Sequence, residues 1–286
     1  MSRPFHVGRF RALFLTGTAH CGSTLLGRML GMHSEVLCVG EIMRLEDALA
    51  LGYGCSCGAS FDACPFWGPR MELLAPYRND YKSYDLALFD ELAVGARQSL
   101  VFDTSKTRVW RSRRNWSTPD ARRRAGFVFL LRDSRGVLAA AKREGNELAH
   151  AAPRHVKWIK RVARLAEKED GRTLVMTYED LCRDPAKELR RLMGFLELPW
   201  EDALLRPADV VHHLIHASVS GYLAGSNLLN RDERWRSELT RDERRIVEEQ
   251  MRRLPLLAEL YLDEGSSRYV YRDAPLSTRS GSPGPR

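Results

Sequence analysis

The sequence predicts an α/β fold: a parallel sheet of about five strands with helices on both faces. Short apolar runs alternate with stretches of helical periodicity, which is the order that βαβ units produce. Two of the runs, Ala12–Thr16 and Gly126–Leu131, are almost wholly apolar, as central strands of a parallel sheet are. The first run ends in a glycine-containing turn before a helix, at the edge where parallel sheets bind ligands.

The individual elements follow from the same patterns. The predicted strands are Ala12–Thr16, Val36–Val39, Ser99–Asp103, Gly126–Leu131 and Arg172–Thr177. Helices are predicted over Thr24–Met32 and Tyr84–Arg97. Another helix is predicted where apolar residues recur three and four positions apart, at Val156, Ile159, Val162, Ala163 and Ala166. The segment Gly52–Pro69 is rich in Gly, Cys, Ser and Pro, so we expect an ordered loop there.

Length and composition predict one globular domain. The chain has 286 residues, of which 44% are hydrophobic and 29% charged, which argues against wholesale disorder. We expect a single domain over residues 1–271 and a disordered tail over residues 272–286, because the tail is poor in apolar residues. No apolar run approaches the roughly 18–20 residues of a membrane span, and no signal peptide is evident. We therefore expect a cytoplasmic protein and exclude an integral membrane protein.

The net charge of +8 favours an anionic partner such as a nucleotide or a phosphorylated or sulfated substrate. The sequence has no motif of interleaved aromatic and basic residues that would indicate RNA binding. We therefore expect no nucleic acid among the partners.

The turn after the first predicted strand has the features of a phosphate-binding loop. Gly17 and Gly22 bound it, and a helix begins at Ser23 and Thr24. Glycines let the backbone approach an anion closely, and the N–H groups of a helix start attract negative charge. The spacing nearly matches the ATP-binding P-loop, G-x4-G-K-[ST], so the predicted fold is of P-loop type. However, Ser23 occupies the position of the lysine that pairs with the β- and γ-phosphates of ATP, so the loop suits a phosphate-type anion but is poorly suited to ATP. The alternative explanation of the motif is an ordinary N-capped helix.

Polar residues follow three other predicted strands. Arg132 directly follows the fourth predicted strand, where its guanidinium suits a phosphate. The alternative explanation of an arginine there is a surface ion pair with Asp133. Lys106 follows the third strand in the sequence Asp-Thr-Ser-Lys, and a solvated lysine after a helix cap is the alternative. Tyr178 follows the fifth strand, where it is either a site residue or a half-buried core aromatic.

The motifs, taken in chain order, resemble those of the sulfotransferases that use 3′-phosphoadenylyl sulfate (PAPS). The stretch His20-Cys-Gly-Ser-Thr-Leu-Leu resembles their 5′-phosphosulfate loop, and Arg132-Asp-Ser-Arg-Gly-Val resembles their 3′-phosphate motif. Tyr178-Glu-Asp-Leu and a looser match from Gly221 to Trp235 follow, so the resemblance covers residues 13–239. The pair Gly40-Glu41 is similar to the tyrosylprotein branch and its bacterial relatives.

The resemblance implies a nucleotide-binding site with PAPS as co-substrate. The residues that it implies for the nucleotide are His20, Cys21, Gly22, Ser23, Thr24, Leu25, Arg132, Tyr178, Asn227 and Arg231. Three positions depart from the family pattern: His20 replaces a Lys or Arg, Cys21 replaces a Ser, and Ala140 replaces a Ser.

The resemblance also implies transfer of the sulfuryl group to a hydroxyl or amine, with no metal required and no metal ligand assigned. Glu41 is expected to accept the acceptor's proton, and Lys106 and His20 to neutralise charge on the sulfuryl group and the bridging oxygen. If Glu41 is instead a helix-start carboxylate, Lys106 or no side chain would serve as base.

The acceptor class and the oligomeric state stay open: the acceptor can be a small molecule, a glycan, a lipid or a peptide. Two other functions remain as alternatives. One is another P-loop transferase or kinase, against which Ser23 counts. The other is a non-catalytic nucleotide-binding protein, which His20 and Ala140 would suit.

Three cysteines, Cys55, Cys57 and Cys64, lie close together in the loop Gly52–Pro69. Zinc takes four ligands, and Cys-x-Cys-x6-Cys supplies three thiolates without the usual paired Cys-x2-Cys spacing. A reversible disulfide and a packed loop near the acceptor are the alternatives, and bacterial relatives often carry a similar Cys-x-Cys-Gly…Cys-Pro-Phe-Trp loop. His212, His213 and His216 have helix-face spacing without a carboxylate motif, so we expect core or surface histidines.

Overall fold

A parallel sheet of five strands organises the fold. The computed structural model describes residues 8–77, 84–106, 118–169, 171–216 and 230–262. The strands are β1 (Ala12–Thr16), β2 (Val36–Gly40), β3 (Leu100–Asp103), β4 (Ala125–Leu131) and β5 (Thr173–Thr177). Their order across the sheet is β2-β3-β1-β4-β5, and every neighbouring pair is parallel. The predicted fold class is confirmed, and each predicted strand is present.

Strand β1 has the predicted bounds, and each of the other four differs from prediction by one residue at one end; at β2 the reason is visible. The strand extends to Gly40 because a segment from much later in the chain pairs beside it: the N–H of Ile215 donates to the carbonyl of Val39 (3.1 Å), and the N–H of Glu41 donates to the carbonyl of Ile215 (2.8 Å). A Cβ on Gly40 would lie 2.4 Å from the Ile215 carbonyl oxygen, so a side chain at this position would prevent the approach.

Helices connect the strands and complete the chain. Within the described residues they are α1 (Ser23–Leu30), α2 (Leu45–Ala50), α3 (Met71–Leu74), α4 (Leu86–Ala96), α5 (Pro119–Arg124), α6 (Ser134–Arg143), α7 (Leu148–Lys168), α8 (Tyr178–Arg183), α9 (Pro185–Leu196), α10 (Trp235–Glu238), α11 (Arg241–Met251) and α12 (Pro255–Tyr261). Among these described helices, none is long and apolar enough to cross a bilayer. The expected tail, 272–286, lies outside the described residues.

Both faces of the sheet are covered, as predicted. Leu13 of β1 packs with Leu26 of α1 and Leu192 of α9 on one face. Phe14, the next residue of the strand, packs on the opposite face, where its ring lies 5.5 Å from the ring of Phe89 in α4. Alternate residues of a strand point to opposite faces, so one apolar strand contributes to both halves of the core.

The helix predicted from the spacing of apolar residues is α7. Its five predicted core positions, Val156, Ile159, Val162, Ala163 and Ala166, are all buried. They join Phe129 and Leu131 of β4 in one apolar cluster. Burial of this stripe fixes α7 against the sheet, because apolar area removed from water stabilises by about 25 cal/mol per Å².

The sheet has a topological switch beside β1. The helix after β1, α1, covers the face of Leu13, whereas the helix after β4, α6, packs on the opposite face with Phe129. Adjacent strands whose helices leave toward opposite faces open a crevice at their carboxyl ends. All five strands end at this edge because they are parallel, and the polar residues singled out in the sequence follow those ends.

Candidate functional site

The loop between β1 and α1 presents a helix N-terminus at the crevice. His20 and Gly22 both have left-handed backbone conformations, with φ of 61° and 98°. Helix α1 begins at Ser23, and within the described part of the chain no side chain caps it. Leu26 N–H is bonded to the Gly22 carbonyl (3.1 Å), so the N–H groups of the preceding first turn face the loop side. The alternative of an ordinary side-chain-capped helix is wrong, and the loop retains donors for an anion.

Two side chains from other elements hold the carbonyl groups of this loop. The indole Nε1 of Trp158 donates to the Gly17 carbonyl (3.1 Å), and Arg132 Nη1 donates to the His20 carbonyl (2.9 Å). Because these carbonyls are engaged from outside, the loop is fixed before any ligand arrives. Preorganised N–H groups bind an anion without a further ordering cost.

Tyr178 lies against the phosphate loop. A Cβ on Gly22 would lie 2.6 Å from Cδ2 of the Tyr178 ring, so only glycine fits there. The tyrosine hydroxyl accepts a hydrogen bond from the Asp232 N–H (3.0 Å), and the Arg132 guanidinium lies over the ring, 4.4 Å from its centroid. Tyr178 is buried, and its ring joins the loop to the end of β4.

Arg132 is buried at the end of β4 and is paired with a residue from far along the chain. Its Nη2 donates to Asp232 Oδ2 (3.0 Å). Asp133, the partner named in the alternative explanation, instead accepts from the Arg135 N–H and guanidinium. The surface pair of Arg132 with Asp133 is therefore wrong. A buried, preoriented guanidinium beside a phosphate loop suits bidentate contact with a phosphate.

Other residues that the sequence assigned to the nucleotide are placed less centrally. The His20 imidazole lies beside the Glu144 carboxylate, with Nε2 3.2 Å from Oε2. Arg231 pairs with Glu233 (3.4 Å) near the surface. Cys21 is buried behind the loop, and Leu25 packs on the core that includes Leu26. Asn227 lies outside the described residues.

On the other side of the loop, Glu41 and Lys106 form an ion pair. They follow β2 and β3, which are neighbours; the Lys106 side chain is buried, and that of Glu41 is only 13% exposed. Arg44 and His216 lie 3.8 and 4.0 Å from the same carboxylate. Glu41 precedes a short 3-10 helix, but its side chain does not cap that helix. The alternative of a solvated Lys106 is therefore wrong, whereas Glu41 does stand at the start of a helix, as the other alternative expected.

Asp103 adds a second buried carboxylate beside this pair. Its Oδ1 accepts from the N–H of Ser105 (2.7 Å), whereas Oδ2 has no hydrogen-bond partner among the described residues. Burial raises the pKa of this carboxyl to about 7, partly offset by the hydrogen bonds from Ser105. The Ser105 hydroxyl also accepts from the Met43 N–H (3.1 Å), which ties the segment after β2 to the segment after β3.

The strand order arranges these groups along one edge. Glu41 and Lys106 lie at the ends of β2 and β3, the phosphate loop follows β1, and Arg132 and Tyr178 follow β4 and β5. The phosphate loop thus has the Tyr178 ring and the buried Arg132 guanidinium on one side. On its other side lies the Glu41–Lys106 ion pair. Such an arrangement suits an adenine nucleotide whose terminal group is transferred to an acceptor.

Sequence reasoning missed three residues. Asp103 was considered only as a possible helix cap. The other two were missed because their partners are distant in the chain: Asp232 is 100 residues from Arg132, and His213 is 149 residues from Cys64. The structure brings His213 to Cys55, Cys57 and Cys64. The sequence signal for His213 was the group of three histidines at positions 212, 213 and 216. Their helix-like spacing instead indicated ordinary core or surface histidines.

Comparisons with known proteins point to one family. Residues 119–202 match the model of a sulfotransferase family. A putative protein-tyrosine sulfotransferase of Caenorhabditis briggsae is 24% identical over 215 residues, which are 72% of this chain and 71% of that protein. The matched range 119–202 contains Arg132 and Tyr178, whereas Glu41 and Lys106 precede it.

Two solved structures share the fold. The sulfotransferase domain from the curacin biosynthetic pathway aligns with a TM-score of 0.59 at 17% identity, covering 84% of this chain and 97% of that one. The sulfotransferase domain from the Synechococcus PCC 7002 olefin synthase aligns with a TM-score of 0.54 at 19% identity, covering 87% and 97%.

Proposed function

We propose that this chain, a member of the sulfotransferase family, transfers the sulfuryl group of PAPS to a hydroxyl or amine of an acceptor. One observation carries the proposal. A preorganised anion loop lies between a buried Arg132–Tyr178 pair and a buried Glu41–Lys106 pair along one edge of the sheet. The first pair suits recognition of a nucleotide, and the second suits group transfer.

In the proposed complex, the first-turn N–H groups of α1 bind the 5′-phosphate oxygens. Arg132, already held at the end of β4, donates to the 3′-phosphate and shares its guanidinium with Asp232. Tyr178 and the guanidinium stacked on it form the wall beside the adenine. Ser23 stands where an ATP-binding loop has lysine, so this site favours a nucleotide that needs no loop lysine for a γ-phosphate.

PAPS supplies a sulfuryl group whose bond to the 5′-phosphate oxygen breaks as a bond to the acceptor oxygen or nitrogen forms. Lys106 stabilises the charge that develops on the bridging oxygen, and Glu41 accepts the acceptor's proton. The ion pair joins the two roles. When an anionic ligand attracts the Lys106 ammonium, the Glu41 carboxylate is released to act as a base. The proposed reaction needs no metal ion.

For the acceptor, a tyrosine-containing peptide is the first compound to test, because the relative in Caenorhabditis briggsae is named a putative protein-tyrosine sulfotransferase. Small phenols and alcohols are the second class. Both present a hydroxyl whose proton Glu41 would accept.

The decisive experiment compares the thermal stabilisation by adenosine 3′,5′-bisphosphate, AMP, and ATP with magnesium. A ligand at about 100 times its Kd adds about 2.7 kcal/mol to the free energy of unfolding. We expect the bisphosphate to stabilise the protein far more than AMP, without metal. Stabilisation chiefly by magnesium-ATP would indicate a kinase-type transferase. Nucleotide binding without sulfuryl transfer to any hydroxyl or amine acceptor would indicate a non-catalytic binder.

A further inference from the structure

A second cluster of reactive side chains lies outside the proposed nucleotide site. The Sγ atoms of Cys55, Cys57 and Cys64 and a ring nitrogen of His213 all lie within 4.8 Å of one another. Cys55 and Cys64 are buried, and the other two are partly buried. Nδ1 of His213 is 3.3 Å from the Cys64 sulfur and 3.8 Å from the Cys55 sulfur, so one nitrogen faces two thiols.

The spacing of these atoms matches a tetrahedral zinc centre. With Zn–S of about 2.3 Å and Zn–N of about 2.0–2.1 Å, tetrahedral angles separate two sulfurs by about 3.8 Å and a sulfur from a nitrogen by about 3.6 Å. The Cys57 and Cys64 sulfurs are 3.8 Å apart. The two sulfur–nitrogen distances to His213 lie on either side of the second value.

The surrounding backbone holds these ligand atoms in place. The Trp67 N–H donates to the Cys64 sulfur (3.4 Å), the kind of hydrogen bond that stabilises a thiolate, and the Trp67 indole donates to the His213 carbonyl (2.8 Å). The Ser56 hydroxyl donates to the His212 carbonyl (2.6 Å) and accepts from the Leu214 N–H (2.8 Å). Residues on both sides of His213 are thus bonded to the cysteine loop.

The other two explanations of the cysteines account for less of this arrangement. A disulfide between Cys57 and Cys64 uses two sulfurs and leaves Cys55 and the His213 nitrogen without a function. Simple packing gives no reason for an imidazole nitrogen to face two thiols that are buried together. Three thiolates and one imidazole form a known ligand set for structural zinc.

We propose that Cys55, Cys57, Cys64 and His213 bind a structural zinc ion. Four protein ligands close the coordination sphere, so the ion has no open position for a water or a substrate. Its role is to fasten the loop Gly52–Pro69 to the segment that contains His213. That segment continues into Ile215, which pairs beside β2, and His216, which lies 4.0 Å from Glu41. The zinc ion therefore supports the wall beside the Glu41–Lys106 pair.

The test measures zinc in the untagged full chain, purified without chelators. We expect about one zinc ion per wild-type chain. Cys57→Ser and His213→Gln remove one ligand each and should reduce the zinc content to a small fraction. The matched controls are His212→Gln, whose side chain donates to the Pro207 carbonyl outside the cluster, and Cys182→Ser on α8. Both controls should retain zinc at the wild-type level.

A second measurement needs no variant to fold. Wild-type protein produced with cobalt in place of zinc should show the absorption of tetrahedral cobalt with thiolate charge-transfer bands. Any one of three results would overturn the proposal. They are a zinc-free wild type with a Cys57–Cys64 disulfide, a zinc content that is unchanged in both ligand variants, and a cobalt-substituted protein without thiolate bands. These measurements do not depend on sulfuryl transfer, so they stand apart from the proposed function.

Discussion

The Lys106 ammonium contacts the Glu41 carboxylate across the ends of two neighbouring strands, although 65 residues separate them in the chain. Their side chains are only 9% and 13% exposed. Breaking a buried pair by removing one partner leaves an uncompensated charge, so each residue affects the state of the other. A substitution of Glu41 or Lys106 therefore also changes its partner, and each test needs a readout that separates the roles of the two residues.

Glu41→Gln should separate base catalysis from nucleotide binding. The amide keeps the size of the side chain but cannot accept the acceptor's proton. We expect binding of adenosine 3′,5′-bisphosphate to stay near the wild-type level and single-turnover transfer to slow by roughly 10²–10⁴. Glu35→Gln, near the opposite end of β2, is the control. Transfer at the wild-type rate would show that Glu41 serves only as the partner of Lys106.

Lys106→Met should act mainly on the transferred group. It removes the ammonium that stabilises charge on the bridging oxygen, an interaction that matters most in the transition state. We expect a large fall in the rate of transfer. The variant should also lose more affinity for PAPS than for its desulfated product. Titration of both ligands measures the difference. The control is Lys142→Met, because Lys142 pairs with Glu243 away from the site. Equal losses of affinity for the two ligands would contradict the assignment.

Arg132 is expected to distinguish nucleotides by their 3′-phosphate. Arg132→Lys keeps a positive charge but loses the paired donors, so the preference for adenosine 3′,5′-bisphosphate over AMP should shrink by roughly 10-fold or more. Arg143→Lys, which alters an exposed pair with Glu238, should keep the preference. Calorimetric titration gives both affinities. A wild-type protein that binds AMP and the bisphosphate equally would refute this role.

His20 is expected to stabilise the negative charge that develops during the proposed transfer. His20→Ala removes the ring that lies beside the Glu144 carboxylate, with Nε2 3.2 Å from Oε2, so single-turnover transfer should slow. His20→Arg supplies a permanent positive charge and should transfer at least as fast as the wild type. Transfer at the wild-type rate in His20→Ala would assign the charge to another group.

Asp103 should give the stability of the fold a pH dependence. Its pKa is about 7 in the folded protein, against an ordinary value of 3.8, so the folded state binds more protons between these values. The contribution of this group to stability therefore falls as pH rises from about 4 to about 7, by up to a few kcal/mol. Denaturant unfolding should show that Asp103→Asn removes this decline. A decline of the same size in the variant would assign it elsewhere.

The sheet and its polar edge were predictable because both depend on local patterns. An apolar run such as Ala12–Thr16 indicates a buried strand, and parallel strands place the residues after them at one edge. This reasoning placed Lys106, Arg132 and Tyr178 at one edge of the sheet, and the family resemblance added Glu41.

The partners of these residues were not predictable, because they come from distant positions without a pattern of their own. Asp232 reaches Arg132 only because the chain returns past β5, and His213 reaches the cysteines only because its segment pairs beside β2. Spacing along the chain carries no information on such contacts. The left-handed conformation of His20 was also hidden, since a histidine does not mark such a position as glycine does.

The position of β1 in the middle of the sheet has a consequence for how such a protein can diversify. Glu41 and Lys106 belong to the part of the chain before residue 107, whereas Arg132 and Tyr178 belong to a later part, and the two groups occupy opposite sides of the loop after β1. In the proposed complex the first group meets the acceptor and the second holds the nucleotide, and separate stretches of sequence encode them, so substitutions in one group need not disturb the other. Under the proposed function, exchange of residues 36–106 between related chains should alter the choice of acceptor and leave the donor unchanged.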